Sequence, residues 1–218
     1  MSLENIQVIG FDLDGTLYPS TDEMQGRIRP KIYERLASEF DILFDVAKEL
    51  FEEGYNGSDA WSQSGSRTIE HIAESFDRNS IDGREIVQQA LEQADILDLM
   101  HPNPGLYAML RRLSSDYHLD LITGTSSDLA HAKLQRLGVE AMIFESIVAQ
   151  SKTNGEVYQH WIQQRQTSPN QMLYIGDNKK QDIDSPKALG IRTCIVGKPY
   201  DGADYHIENI LELEGLFN

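Results

Sequence analysis

Five short apolar runs, at residues 6–11, 119–122, 146–149, 172–175 and 193–196, constrain this chain more than any other feature. Short, unbroken apolar runs of this kind read as strands buried on both faces. Helical patterns lie between them at residues 106–113, 128–137, 156–165 and 182–189, several closed by a glycine, Gly138 or Gly190, placed as a C-terminal cap. Strands alternating with helices predict an α/β fold, a Rossmann-like parallel sheet covered on both faces.

Residues 21–100 break that rhythm. Helix-like segments follow one another near 29–39, 42–53, 67–76 and 84–98, and no strand signal rises among them. The turn-rich stretch His101, Pro102, Asn103, Pro104, Gly105 then returns the chain to its main fold. The expected organisation is a core domain formed by residues 1–18 and 101–218, with a small all-helical domain, residues 19–100, inserted after the first strand. Neither an internal repeat nor a low-complexity segment is present.

With 218 residues, 40% of them hydrophobic and 25% charged, the chain is long enough and apolar enough to bury a substantial core. No apolar run approaches the roughly 20 residues that span a bilayer. The formal net charge of −16 would repel nucleic-acid backbone and anionic membrane, and no compact Lys/Arg stripe offsets it. No signal-like leader precedes the first strand, and the lone Cys194 precludes an intramolecular disulfide framework. The expectation is a cytoplasmic, soluble protein with neither nucleic acid nor membrane as partner. A small anionic substrate stays compatible, because a metal ion and a lysine can dominate one site whatever the global charge.

In a parallel α/β sheet, ligands sit beyond the carboxyl ends of the strands, so polar residues directly after predicted strands matter most. The first such place is Phe11-Asp12-Leu13-Asp14-Gly15-Thr16-Leu17, where two carboxylates two residues apart leave an extended segment with similar orientation. Like charges so close call for a neutralising group, and Mg²⁺ commonly uses one or two carboxylates together with phosphate oxygens. The second is Thr123-Gly124, a hydroxyl and a small residue that lets a ligand approach the backbone. The third is Lys152, a cation able to neutralise phosphate or to hold a carboxylate ionised. The fourth is Gly176-Asp177-Asn178-Lys179-Lys180-Gln181-Asp182, with Asp177 at a strand end and Asp182 at a predicted helix start. Each has an ordinary structural reading: an Asp-Gly turn, a helix cap, a surface lysine, a capping carboxylate. Their occurrence together, in this order, favours one shared functional site.

These residues resemble the haloacid dehalogenase superfamily, whose pattern is Asp-x-Asp-Gly-Thr, a strand-terminal Thr or Ser, a Lys, and Gly-Asp followed by a further Asp. The resemblance covers residues 6 to about 197, and the helical insertion resembles the small cap domain of that superfamily's first cap class. Lys152-Thr153-Asn154-Gly155-Glu156-Val157-Tyr158 resembles the family's Lys-Pro-x-Pro segment with both prolines missing. The resemblance implies a phosphatase in which Asp12 attacks phosphorus and forms an aspartyl-phosphate, while Asp14 acts as general acid and then general base. It implies Mg²⁺ held by Asp12, the backbone carbonyl of Asp14, and Asp177, with Asp182 as a supporting carboxylate. Thr123, Gly124 and Lys152 would bind phosphoryl oxygens. Asp14 also separates phosphate chemistry from the dehalogenases that name the superfamily, which lack an equivalent acid and work without metal.

The implied substrate is a small phosphorylated metabolite: a sugar phosphate, phosphoglycolate or, because Asp14 to Pro19 resembles pyrimidine nucleotidase-like members, a nucleoside monophosphate. Specificity is expected in the helical insertion, where Arg27, Arg29 and Lys31 are candidate anion contacts and Trp61 and Arg67 flank a Ser/Gly-rich loop. A phosphomutase using the same intermediate and a non-catalytic phosphate-binding protein are the alternatives. A phosphoaspartate receiver module shares the chemistry but is about half this length and has no large insertion after its first strand. The six histidines show no metal-ligand spacing, and Cys194 reads as a small buried hydrophobe.

Overall fold

The computed structural model describes residues 3–55, 61–152 and 155–217; for Trp61 and Ser62 only the backbone is described. It divides into two compact units, Met1–Pro19 with Met100–Asn218, and Ser20–Leu99.

The first unit is built on six parallel strands: β1 (Val8–Phe11), β2 (His118–Thr123), β3 (Ser146–Ala149), β4 (Met172–Gly176), β5 (Arg192–Val196) and β6 (Tyr205–Ile207). Their spatial order is β3-β2-β1-β4-β5-β6, so β1 lies between β2 and β4. Every residue of β1 and β4 is buried, as their unbroken apolar sequences predict. The sixth strand has no such signature: of its three residues only Ile207 is buried and His206 is exposed, so no apolar run marks it.

The second unit contains α1 (Asp22–Phe40), α2 (Phe44–Gly54), α3 (Trp61–Ser75) and α4 (Gly83–Gln93), followed by a short 3₁₀ turn, Leu97–Leu99. Ile28, Ile32 and Leu36 repeat along one face of α1 and are fully buried, together with Phe51 of α2, Ile69 of α3 and Val87 of α4. Thr21 caps α1 by accepting the Met24 N–H at 3.2 Å, and Asp82 caps α4 through the Arg84 N–H at 2.9 Å. The Ser/Gly-rich stretch expected to be a loop is the first half of α3. Ser64 and Ser66 are buried, and a Cβ on Gly83 at the start of α4 would sit 2.2 Å from Ser66 O, so the two helices pack closely here. Arg67 therefore lies within a helix, and the side chain of Trp61 lies outside the described residues.

The remaining helices of the first unit are α5 (Pro104–Leu113), α6 (Ser127–Leu137), α7 (Glu156–Arg165) and the single turn α8 (Ser185–Lys187). Asn103 caps α5, and Gly138 ends α6 with a φ of 71°, in the left-handed region. Aromatic residues of α7 fill one face of the sheet: Tyr158 and Trp161 pack with Val8, Ile122, Met172, Tyr174 and Ile191. A charged pair pins the same helix. Asp120 of β2, with no exposed surface, accepts Trp161 Nε1–H at 2.6 Å and Arg165 Nε–H at 2.7 Å. No helix among the described residues is long and apolar enough to cross a membrane.

Candidate active site

Register fixes where the polar residues emerge. Phe11 pairs with Leu121 on one side and Ile175 on the other, so Asp12, Thr123 and Asp177 all leave the sheet at its carboxyl edge. This is where β1, which leads into the helical unit, lies beside β4, which the chain reaches last among β1's neighbours; open parallel sheets bind ligands at such switch points. The Asp12 N–H donates to Ile175 O at 2.9 Å, and the Gln150 N–H donates to Thr123 O at 2.9 Å, extending the ladder on both sides of the site.

Lys152 stands at the centre of a buried charge group. Its Nζ lies 2.7 Å from Asp12 Oδ1 and 2.6 Å from Asp182 Oδ1, and all three side chains are nearly or fully buried. Asp177 joins them: Asp12, Asp177 and Asp182 each offer a carboxylate oxygen within 4.8 Å of the others. Close backbone approach makes this possible. Gly15 has a φ of +81°, and a Cβ there would lie 2.2 Å from Asp177 Oδ2; a Cβ on Gly176 would lie 2.4 Å from Asp182 Cβ.

Asp182 does not begin a helix, as its spacing suggested. The helix starts earlier, as a π-helical turn over Lys179–Asp184 that leads into α8, and Asn178 caps it by accepting the Lys180 and Gln181 N–H groups. Asp182 instead points back into the protein. Its Oδ2 accepts the Asn178 N–H at 2.9 Å while its Oδ1 holds Lys152. Wide helical turns of this kind place side chains where a regular turn cannot.

Asp14 belongs to a second group that motif reading missed. Its Oδ1 accepts from Lys133 Nζ and from the Tyr18 hydroxyl, and its Oδ2 accepts from Thr125 Oγ1 at 2.6 Å. Thr125 is tied in turn to the predicted phosphate-binding residue, its N–H donating to Thr123 Oγ1 at 3.1 Å. Thr123 thus closes a turn at the end of β2, next to Gly124. Lys133 had a sequence signal. It shares the buried face of α6 with Ala130, Leu134 and Leu137, an apolar position where a lysine needs a charged partner.

The electrostatics follow from burial and pairing. Burial pushes the Asp12 carboxyl up to about 7, and neighbouring Asp182 and Asp14 add to the rise while Lys152 opposes it. Burial, then Asp12 and Asp182, hold Asp177 well above the ordinary carboxylate range. Burial would raise Asp14 as well, but Lys133, Thr125 and Tyr18 outweigh it and leave that carboxyl below its ordinary value. Burial opposes the charge on Lys152, yet Asp12 and Asp182 keep its ammonium well above the usual lysine value. Three carboxylates and one ammonium leave the first group short of positive charge. Hard oxygen donors with excess negative charge form a group able to hold a metal cation.

In the helical unit, the three basic residues considered for anion binding are already matched by carboxylates. Arg27 Nη1 lies 2.5 Å from Asp98, Arg29 Nη1 lies 2.8 Å from Glu52, and Lys31 Nζ lies 2.9 Å from Glu34. Of the Lys152–Tyr158 segment, Thr153 and Asn154 lie outside the described residues.

The family model of haloacid dehalogenase-like hydrolases matches residues 9–196. The chain belongs to that family. No curated protein matches it. Among solved structures, this haloacid dehalogenase-like hydrolase resembles a HAD phosphatase from Thermococcus onnurineus, at 20% identity and a TM-score of 0.62 over 98% of each chain. It also resembles the putative HAD-hydrolase YfnB of Bacillus subtilis, solved bound to magnesium, at 18% identity and a TM-score of 0.56 over 98% of this chain and 99% of that one. L-2-haloacid dehalogenase from Xanthobacter autotrophicus is similar at 14% identity and a TM-score of 0.56, over 97% and 98% of the two chains. At these identities the likeness is one of fold, and the fold is shared by phosphatases and dehalogenases alike.

Proposed function

We propose that this hydrolase is a Mg²⁺-dependent phosphatase, acting on a small phosphate monoester through an aspartyl-phosphate on Asp12. The observation that carries the reading is the division of labour between two carboxylates on one loop. Asp12 lies among metal-compatible carboxylates beside Lys152, whereas Asp14 is held by a separate set of donors. Displacing a halide requires no proton donor. Cleaving a phosphate monoester releases an alkoxide, which does.

Asp12, Asp177 and the backbone carbonyl of Asp14 are the proposed Mg²⁺ ligands. Both oxygens of Asp182 already have partners, Lys152 and the Asn178 N–H, which suits a supporting role. When bound, the ion supplies positive charge that offsets the phosphoryl oxygens and favours ionised Asp12. A carboxylate oxygen of Asp12 attacks phosphorus in line and displaces the alkoxide, to which Asp14 passes the proton it takes from the monoanionic form of the ester. Asp14 then takes a proton from the water that cleaves the aspartyl-phosphate, restoring Asp12 and releasing phosphate. Lys152 provides fixed positive charge, and Thr123 with Gly124 offers hydrogen bonds to phosphoryl oxygens. The magnesium-bound YfnB structure and the Thermococcus onnurineus phosphatase support this reading. Sugar phosphates, phosphoglycolate and nucleoside monophosphates are the proposed substrates, small phosphorylated metabolites of the cytoplasm.

The test is phosphate release from p-nitrophenyl phosphate and a panel of such esters, with Mg²⁺ or with EDTA. Asp12→Asn is expected to lower turnover by more than about a thousandfold, as loss of a nucleophile does elsewhere. Release that ignores EDTA, or that survives Asp12→Asn, would remove this mechanism; chloride release from 2-chloropropionate instead would make the chain a dehalogenase.

A further inference from the structure

Resting on the phosphatase reading, we infer that Lys133 is the residue that positions Asp14 for proton transfer. Lys133 has no exposed surface, although its neighbours on the inward face of α6 are Ala130, Leu134 and Leu137. An ammonium in such surroundings is stable only when paired. Its pairing is with Asp14, 119 residues away in sequence, and its Nζ also lies 3.5 Å from Thr125 Oγ1.

Three donors from three segments grip the Asp14 carboxylate: Lys133 and Tyr18 on Oδ1, Thr125 on Oδ2. Both oxygens are therefore fixed, and the carboxylate cannot turn about its terminal bond without releasing a partner. Tyr18 follows Asp14 by four residues on the same loop, and Thr125 belongs to the turn after β2. Lys133 alone brings a formal charge, and it brings it from a helix. Side chains on helices hold geometry more tightly than side chains on loops. The site thus uses two buried lysines separately, Lys152 for Asp12 and Asp182, Lys133 for Asp14.

Proton transfer demands hydrogen-bond reach, and small displacements of a catalytic group can cost about a hundredfold in rate. Lys133→Met keeps the side-chain length and removes the charge. It is expected to lower the rate of aspartyl-phosphate formation from alkyl phosphates, read as the pre-steady-state release of alcohol, roughly tenfold to a hundredfold while changing the corresponding release of p-nitrophenolate less than about threefold, because a nitrophenolate leaves without a proton, whereas the later hydrolysis needs Asp14 for both esters. In an Asp14→Asn background the same substitution should lower that rate no further. Equal losses in that first-step rate on both ester types, or a loss that persists with Asp14→Asn, would overturn the proposal and leave Lys133 a packing residue. If Lys133→Met does not fold, Lys133→Gln is measured in the same way. Were the native protein inactive on every phosphate ester, the phosphatase reading would fail first. Lys133 would then be judged by thermal unfolding of the two single variants and the double variant: non-additive shifts keep the Lys133–Asp14 positioning pair, and additive shifts discard it.

Discussion

Removing Arg165 tests the charge pair that fastens α7 to the sheet. Asp120 has no exposed surface, and apart from Trp161 Nε1–H its carboxylate depends on two donors of Arg165, whose own side chain is 14% exposed. Arg165→Met keeps much of the apolar stem but leaves a buried carboxylate with one neutral donor. Breaking a buried pair from one side costs about 3–5 kcal/mol, and water entering where the guanidinium was places this case near about 3 kcal/mol. The second contact of Arg165, with Glu145 at 2.7 Å, is half exposed on its acidic side and adds little. For a chain of this length, about 3 kcal/mol corresponds to a fall in Tm of roughly 6–12 °C. Urea denaturation should show a lower midpoint with an unchanged slope. Arg165→Met combined with Asp120→Asn removes both charges and keeps an acceptor for Trp161, so it should be more stable than Arg165→Met alone by about 1–2 kcal/mol. A cost below about 1 kcal/mol for the single variant, or no recovery in the double, would refute the view that this pair is a buried, mutually dependent unit.

Two further outcomes concern the thiol and the metal. Burial pushes the Cys194 thiol up to about 12, from an ordinary value of 9.0, so the unfolded chain ionises first as pH rises. Its stabilising contribution is complete below about pH 9 and declines toward pH 12, and Cys194→Ala should flatten that part of the native stability curve by about 3–4 kcal/mol; identical curves would refute it. Mg²⁺ at about ten times its Kd should raise the Tm by roughly 3–6 °C. Asp177→Asn should abolish that shift while Arg165→Met preserves it, as read by differential scanning fluorimetry; a shift retained in Asp177→Asn would take Asp177 out of the metal site.

The fold was legible in sequence wherever its cause was local. A run buried on both faces must be apolar throughout, so five strands announce themselves, and Gly138 marks the end of α6 because its φ of 71° suits glycine. The strand ends that carry Asp12, Thr123 and Asp177 follow from the same logic, since a parallel sheet brings its carboxyl ends to one edge. β6 escaped notice because an edge strand with one buried residue needs no apolar run. Asp182 was placed at a helix start by spacing alone, and the earlier π-helical turn, capped by Asn178, directs it to Lys152 instead.

Sequence by itself determined the α/β alternation, the helical insertion and the order of polar residues at the strand ends, because backbone pattern and strand length are properties of neighbouring residues. Tertiary structure decided which charges meet. Lys152 falls between Asp12 and Asp182, Lys133 reaches Asp14 from α6, and Arg165 reaches Asp120 from α7. Buried charges tolerate only partners brought within hydrogen-bonding distance, and that distance is set by how helices pack on the sheet, across separations that no local pattern records.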